Sequence, residues 1–256
     1  QAKVVVDKIV AYNTNHNAGD WQNTIFFMGD DGNENLHMQD VEDAATMVEG
    51  LNPAYHIKKV MWDAFNRVNS AQGATYPDVS KIIKQQQAQG ALIMDYVGHG
   101  VEYQISHENV LRLSDFTSFN NKNLPLWITA SCDIMPFDGT VANIGESALL
   151  NPNGGAVAFF GTTRTVYANY NKRINMSFLK HVLSNDAKGK PISVGEAQRL
   201  AKNDMIDSGA DHTENKLQYA LLGDPALVLR RPTLNISIDE INGTPCVAGS
   251  NIVIKA

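Results

Sequence analysis

Short apolar runs alternate along this chain with longer stretches of helical periodicity. Ile25-Phe26-Phe27-Met28 stops at Gly29-Asp30-Asp31-Gly32, and an acidic helical stretch follows from about residue 38 to 50. Residues 56–62 read as a strand and 79–89 as a polar amphipathic helix. Residues 91–97 form an apolar run that stops at Gly98-His99-Gly100, and 124–130 form another that stops at Ser131-Cys132. A helix starts near 145–150, and residues 156–160 make a further buried strand, stopped by Gly161-Thr162-Thr163-Arg164. Helices follow near 174–183 and 194–206.

Buried runs of this length between helices predict a layered α/β fold with a mostly parallel sheet. Ligands in such folds bind beyond the carboxyl ends of the strands. Asp30, Asp31, His99, Cys132 and residues 162–164 all fall there. The tail differs. After Leu222-Gly223-Asp224-Pro225, residues 227–229, 233–238 and 252–254 read as short strands, with a turn at Asn242-Gly243-Thr244-Pro245. Residues 1–20 are read as a lead-in from a longer protein, 21–230 as the main domain, and 231–256 as the start of a β-sandwich.

Composition narrows the function. Of 256 residues, 43% are hydrophobic and 19% charged, as in a globular protein. A net charge of −6 argues against a nucleic-acid partner, and no apolar run approaches the roughly 20 residues that span a bilayer. No signal peptide is evident, and a first residue other than Met reads as a piece of something longer. Two cysteines, Cys132 and Cys246, are too few for a disulfide framework.

A thiol attacks a peptide carbonyl as thiolate or with a base beside it. Cys132 and His99, each ending a buried strand, can supply nucleophile and base, and Gly98 and Gly100 let the backbone turn sharply. The N–H groups of Gly100 and Cys132 are then free for a developing oxyanion. The alternatives are a buried cysteine acting as a small hydrophobe and a Gly-His-Gly that is merely a turn. No cofactor is expected. Seven histidines show no paired zinc-ligand spacing. Residues 31–35 with Glu42 partly mimic a calcium loop, but Leu36 stands where that loop needs Gly.

Tyr96-Val97-Gly98-His99-Gly100, Thr129-Ala130-Ser131-Cys132 and Leu222-Gly223-Asp224-Pro225-Ala226-Leu227 together resemble the gingipain family of cysteine peptidases, over roughly residues 8–230. Within it, Gly19-Asp20-Trp21, Asp30-Asp31-Gly32, Leu124-Pro125-Leu126, Phe137-Asp138, Gly145-Glu146 and Thr162-Thr163-Arg164-Thr165-Val166-Tyr167 are similar to the sortases of the type IX secretion system. The resemblance implies a three-layer α/β/α caspase-like fold and a Cys132–His99 pair 33 positions apart. It also implies an oxyanion hole at Gly100 and Cys132, and Asp31 as the carboxylate that orients the histidine. Glu34, three residues before His37, falls where the family's specificity acid lies. Thr163, Arg164 and Tyr167 would line the substrate wall, with Arg164 either facing an acidic group or serving as a salt-bridge partner. The implied substrate is a secreted protein cut at the surface of a Gram-negative cell, with other secretion components as partners. A general degradative protease and a silent scaffold stand as rivals.

Overall fold

The structure is a computed structural model that describes residues 1–71, 73–232 and the backbone of 240–241 and 244–245. Six strands form the main sheet: β1 (Thr24–Gly29), β2 (His56–Met61), β3 (Ile93–Val97), β4 (Leu126–Ala130), β5 (Ala158–Thr162) and β6 (Tyr219–Leu222). Their spatial order is β6-β5-β4-β3-β1-β2. All neighbours are parallel except β5 and β6. The chain leaves β1 towards β2 on one side and returns to β3 on the other. The strand order therefore reverses at the β1/β3 boundary, where open α/β sheets form their crevice.

Alternating side chains divide the core into two layers. Ile25, Phe27, Ile93, Val97, Ile128 and Phe160 pack beneath α2 (Gly32–Leu51), α6 (Ala168–Val182) and α7 (Val194–Asp207). Phe26, Met28, Met94, Tyr96, Trp127 and Phe159 face α3 (Pro77–Gln89), α4 (Leu113–Ser118) and α5 (Ile144–Leu150). Local signals agree with these helices. Pro77 opens α3 in the first turn, where a missing N–H costs nothing. The side chains of Asn143 and Ser193 cap α5 and α7, accepting from Glu146 N (2.9 Å) and Glu196 N (3.3 Å).

Several segments add to or depart from the sequence expectation. Residues 1–20, read as a lead-in, contain helix α1 (Ala2–Thr14). Its Tyr12 joins the core, and its buried Lys8 donates to Ala148 O (3.1 Å) and Leu149 O (2.7 Å), satisfying two carbonyls at the end of α5. Burial pulls the Lys8 ammonium down to about 8. Second, Asn33, Glu34 and Asn35 form a left-handed turn (φ 53°, 56° and 68°) at the head of α2, and the right-handed helix follows it, close to the expected start near residue 38. Third, a short meander, Gly100–Val101, Gln104–Ile105 and Leu111–Arg112, folds back beside the end of β3. Residues 227–229 are not a strand. Within the segment expected to begin a β-sandwich, Glu240–Ile241 pairs antiparallel with Thr244–Pro245. The rest of that reading, Cys246 included, lies outside the described residues.

Candidate active site

Val97 on β3 and Ala130 on β4 are register partners, and Gly98 N donates to Ala130 O (3.3 Å). His99 and Cys132 each follow that pair by two residues. Parallel strands run about 4.8 Å apart, so the equal offset brings the two residues to the carboxyl edge from neighbouring strands. The approach is close. A Cβ on Gly100 would lie 2.5 Å from Ser131 Oγ, and one on Gly32 would lie 2.7 Å from His99 Nε2, so glycine lets the backbone pass at both points.

The Cys132 thiol is half-buried and nestles against Val166, donating to its carbonyl (3.4 Å) and accepting from its N–H (3.5 Å). Burial pushes the thiol above its ordinary value. The Val166 N–H works against that, and Asp133 adds to it. The resting group is therefore a thiol, and it needs a base. Burial lowers His99, Asp30 opposes, and His107 and His37 lower it further. His99 thus rests as a neutral imidazole, the form that accepts a proton.

Two backbone N–H groups face this edge. Cys132 N has no acceptor among the described residues. Ser106 N donates to His99 O (2.9 Å), and bonded and non-bonded pairs alternate in an antiparallel ladder. The next pair, Gly100–Ile105, is thus the non-bonded one, and the Gly100 N–H turns away from the hairpin.

Asp30, not its neighbour Asp31, is the carboxylate that meets His99. Asp30 N continues the ladder to Val97 O (3.3 Å), which turns the side chain inward. Oδ2 accepts from the His99 backbone N–H (2.7 Å) and from Tyr96 OH (3.0 Å). Oδ1 accepts from Gly32 N (3.1 Å) and from His37 Nδ1. Asn33 Nδ2 donates to His37 Nε2 (3.0 Å), which leaves the His37 proton on Nδ1, facing Asp30. Burial pushes the Asp30 carboxyl up, but His37 and the His99 N–H outweigh it and hold it below the usual range. Asp31 instead accepts from Tyr76 OH (2.6 Å) and has no contact with His99 among the described residues.

The remaining predicted residues are spread more widely. Glu34 is exposed on the left-handed turn and makes no ion pair or hydrogen bond among the described residues. Thr163 is turned to Gln218, with its N–H (2.9 Å) and hydroxyl (3.1 Å) both donating to that carbonyl. Arg164 grips Asp138 with both guanidinium NH2 groups, one at 3.0 Å, which favours the salt-bridge reading of that residue. Tyr167 is 65% exposed beside Tyr170. No group of His, Cys, Asp and Glu among the described residues is arranged to hold a metal ion, and no described helix is long and apolar enough to cross a membrane.

Sequence reasoning passed over Asp30 as the acceptor, and over His37 and His107 as neighbours of His99. His37 meets the His99 ring edge-on (4.9 Å, 79°), and His107 stacks on it (4.2 Å, 8°). The usable signal was thin: a second aspartate at the end of β1, and histidines eight and ten positions beyond the ends of β1 and β3.

A parallel sheet between two helical layers, delivering a cysteine and a histidine from adjacent strands to its carboxyl edge, is a caspase-like fold. The chain belongs to peptidase family C25, the gingipain family of cysteine peptidases, whose model matches residues 1–230. Among solved structures it is similar to the Arg-specific cysteine proteinase gingipain R, RgpB. The identity is 16% and the TM-score 0.73, covering 90% of this chain and 52% of that one. The complex of Porphyromonas gingivalis RgpB pro- and mature domains matches at 17% identity and TM-score 0.70, covering 89% and 53%. The Saccharomyces cerevisiae separase–securin complex matches at 12% and 0.52, covering 86% and 13%. The chain thus spans about half the length of the gingipain structures it matches. No curated protein matches it.

Proposed function

We propose that this chain is the catalytic domain of a cysteine endopeptidase that uses Cys132 as nucleophile and His99 as its proton partner. The observation that carries this is the equal offset of the two residues from the Val97–Ala130 pair. His99 takes the Cys132 proton, and the sulfur bonds to the scissile carbonyl carbon. The carbonyl oxygen gains negative charge against the N–H groups of Gly100 and Cys132. As the C–N bond breaks, His99 returns the proton to the leaving amine. Water then adds to the thioester, releasing the acid and restoring the thiol. Asp30, rather than Asp31, fixes the strand end that carries His99 through its backbone N–H. Treating the protein with a peptidyl acyloxymethyl ketone gives a thioether on Cys132, and Cys132→Ala gives none. Labelling of the alanine variant would refute the nucleophile.

The substrate is a protein. The motifs shared with type IX secretion sortases support processing of secreted proteins at a Gram-negative cell surface, over general degradation. In that role an amine replaces water at the thioester. A ligated amide product, detected by mass spectrometry with an added amine, separates the two. Glu34, Thr163, Arg164 and Tyr167 are proposed to border the bound chain. Glu34, an acid with no ion pair among the described residues, would favour a basic residue.

A further inference from the structure

We propose that His107 is a positioning residue for His99, fixing the rotation of the catalytic imidazole by face-to-face stacking across the mouth of the site. The proposal rests on the Cys132–His99 reading above and adds a residue to it. The two rings lie 4.2 Å apart and are parallel to within 8°. The edge of His37 closes the other side at 4.9 Å. In the usual arrangement a carboxylate bonds the second ring nitrogen of the histidine and sets its orientation. Here Asp30 spends its oxygen on the His99 backbone N–H, and the His99 ring has no hydrogen bond among the described residues. Aromatic contacts are what remains to hold the ring.

The backbone that presents His107 is built for this. Ser106 sits at φ 65°, in the left-handed region that costs a non-glycine residue free energy. Five hydrogen bonds hold it there, one of them from Glu108 N to Ser106 Oγ (3.3 Å). Ser106 N donates to His99 O (2.9 Å), Trp62 Nε1 to Ser106 Oγ (3.1 Å), Ser106 Oγ to Glu108, and Gln104 Nε2 to Ser106 O (2.8 Å). Ser106 and Glu108 are buried while His107 is exposed. A buried, strained and over-determined turn that ends in an exposed ring lying on His99 is poorly explained by packing alone.

The stack also has a charge consequence. His99 is faced by Asp30 from the end of β1, by His37 from α2, and by His107 and Glu108 from the meander, with Arg67 3.4 Å from Glu108. Asp30 and Glu108 favour a proton on His99, and His37 and His107 oppose one. Stacked imidazoles resist being protonated together.

The test uses the full chain, the acyloxymethyl ketone probe and the titration of His99 followed by NMR of isotope-labelled histidine. His107→Ala removes the stack and slows labelling on the order of 10- to 100-fold. His107→Phe restores a flat ring without a titratable nitrogen, so it recovers most of the rate while His99 titrates at higher pH than in the parent. Equal slowing by both variants, or parent-like labelling and titration in both, overturns the positioning role. Cys132→Ala, labelled in parallel, separates this from failure of the site itself. If it reacts, the Cys132 reading falls, and this inference falls with it.

Discussion

Two aspartates lie buried in the same sheet with opposite fates. Asp30, at the end of β1, accepts from His37, Gly32, Tyr96 and the His99 backbone. It is held in its charged form despite burial. Asp95, inside β3, is fully buried and accepts one bond, from Asn175 Nδ2 of α6 (2.9 Å). Burial pushes it up to about 7, against that amide. Its second oxygen and Asn175 Oδ1 have no partner among the described residues. Burial thus opposes the charged form of Asp95, and one amide bond does not offset it. Donors, rather than depth, decide which carboxylate keeps its charge. The charged one stands at the site, and the one whose ionisation burial opposes ties the strand that carries His99 to the helix above it.

The largest effect follows from removing the charge at the end of β1. Asp30→Asn leaves buried donors facing an amide NH2, and we expect a loss of about 3–5 kcal/mol in stability by denaturant unfolding. Labelling of Cys132 falls with it, because the His99 backbone loses its anchor. Since the folded carboxyl is held low, its contribution is present above the unfolded value and lost as pH falls through the folded one. A loss below about 1 kcal/mol would mean that the four bonds are ornamental.

Asp95→Asn runs the comparison the other way. The folded group is raised, so its contribution is fully present below 3.8 and is lost as pH rises towards about 7. At about 1.4 kcal/mol per pKa unit, the parent gives up on the order of 4 kcal/mol across that window. An asparagine offers Asn175 Nδ2 an uncharged acceptor at every pH. Relative to the parent, Asp95→Asn should therefore gain stability between pH 5 and pH 8, measured by thermal unfolding at both. The carboxylic-acid C=O band in the infrared spectrum should vanish in the variant. A constant difference between the two proteins across pH would refute the neutral acid.

The contrast between the two acids also marks how far the sequence was readable. The strand ends at Gly98-His99-Gly100 and Ser131-Cys132 were legible, because apolar runs broken by glycine or a polar pair have few other readings. Whether Asp30 or Asp31 points inward was not. Adjacent identical residues at a strand end differ in direction only through the ladder bond from Asp30 N to Val97 O. Helix α1 was hidden because Val4-Val5-Val6 favours strands locally, and the helix is secured by the distant contacts of Lys8 and Tyr12. The His107 stack depends on a positive φ at Ser106, which a serine does not announce.

Asp138 supplies the smallest effect and the cleanest limit to the comparison. It is a third carboxylate, paired two-way with Arg164, but both groups are exposed. Arg164 draws its carboxyl below the ordinary value, yet water screens such a pair, so the gain in folding is slight. Asp138→Asn should leave the unfolding temperature within error of the parent. Its consequence lies in recognition. With Asp138 neutral, the Arg164 cation is no longer cancelled beside the proposed substrate wall. Probes with glutamate next to the reactive ketone should then gain several-fold over probes with lysine there, relative to the parent. If the ratio stays fixed, Arg164 lies off the path of the substrate. If stability falls as it does for Asp30→Asn, then exposure, and not the number of donors, is the wrong axis on which to separate these three acids.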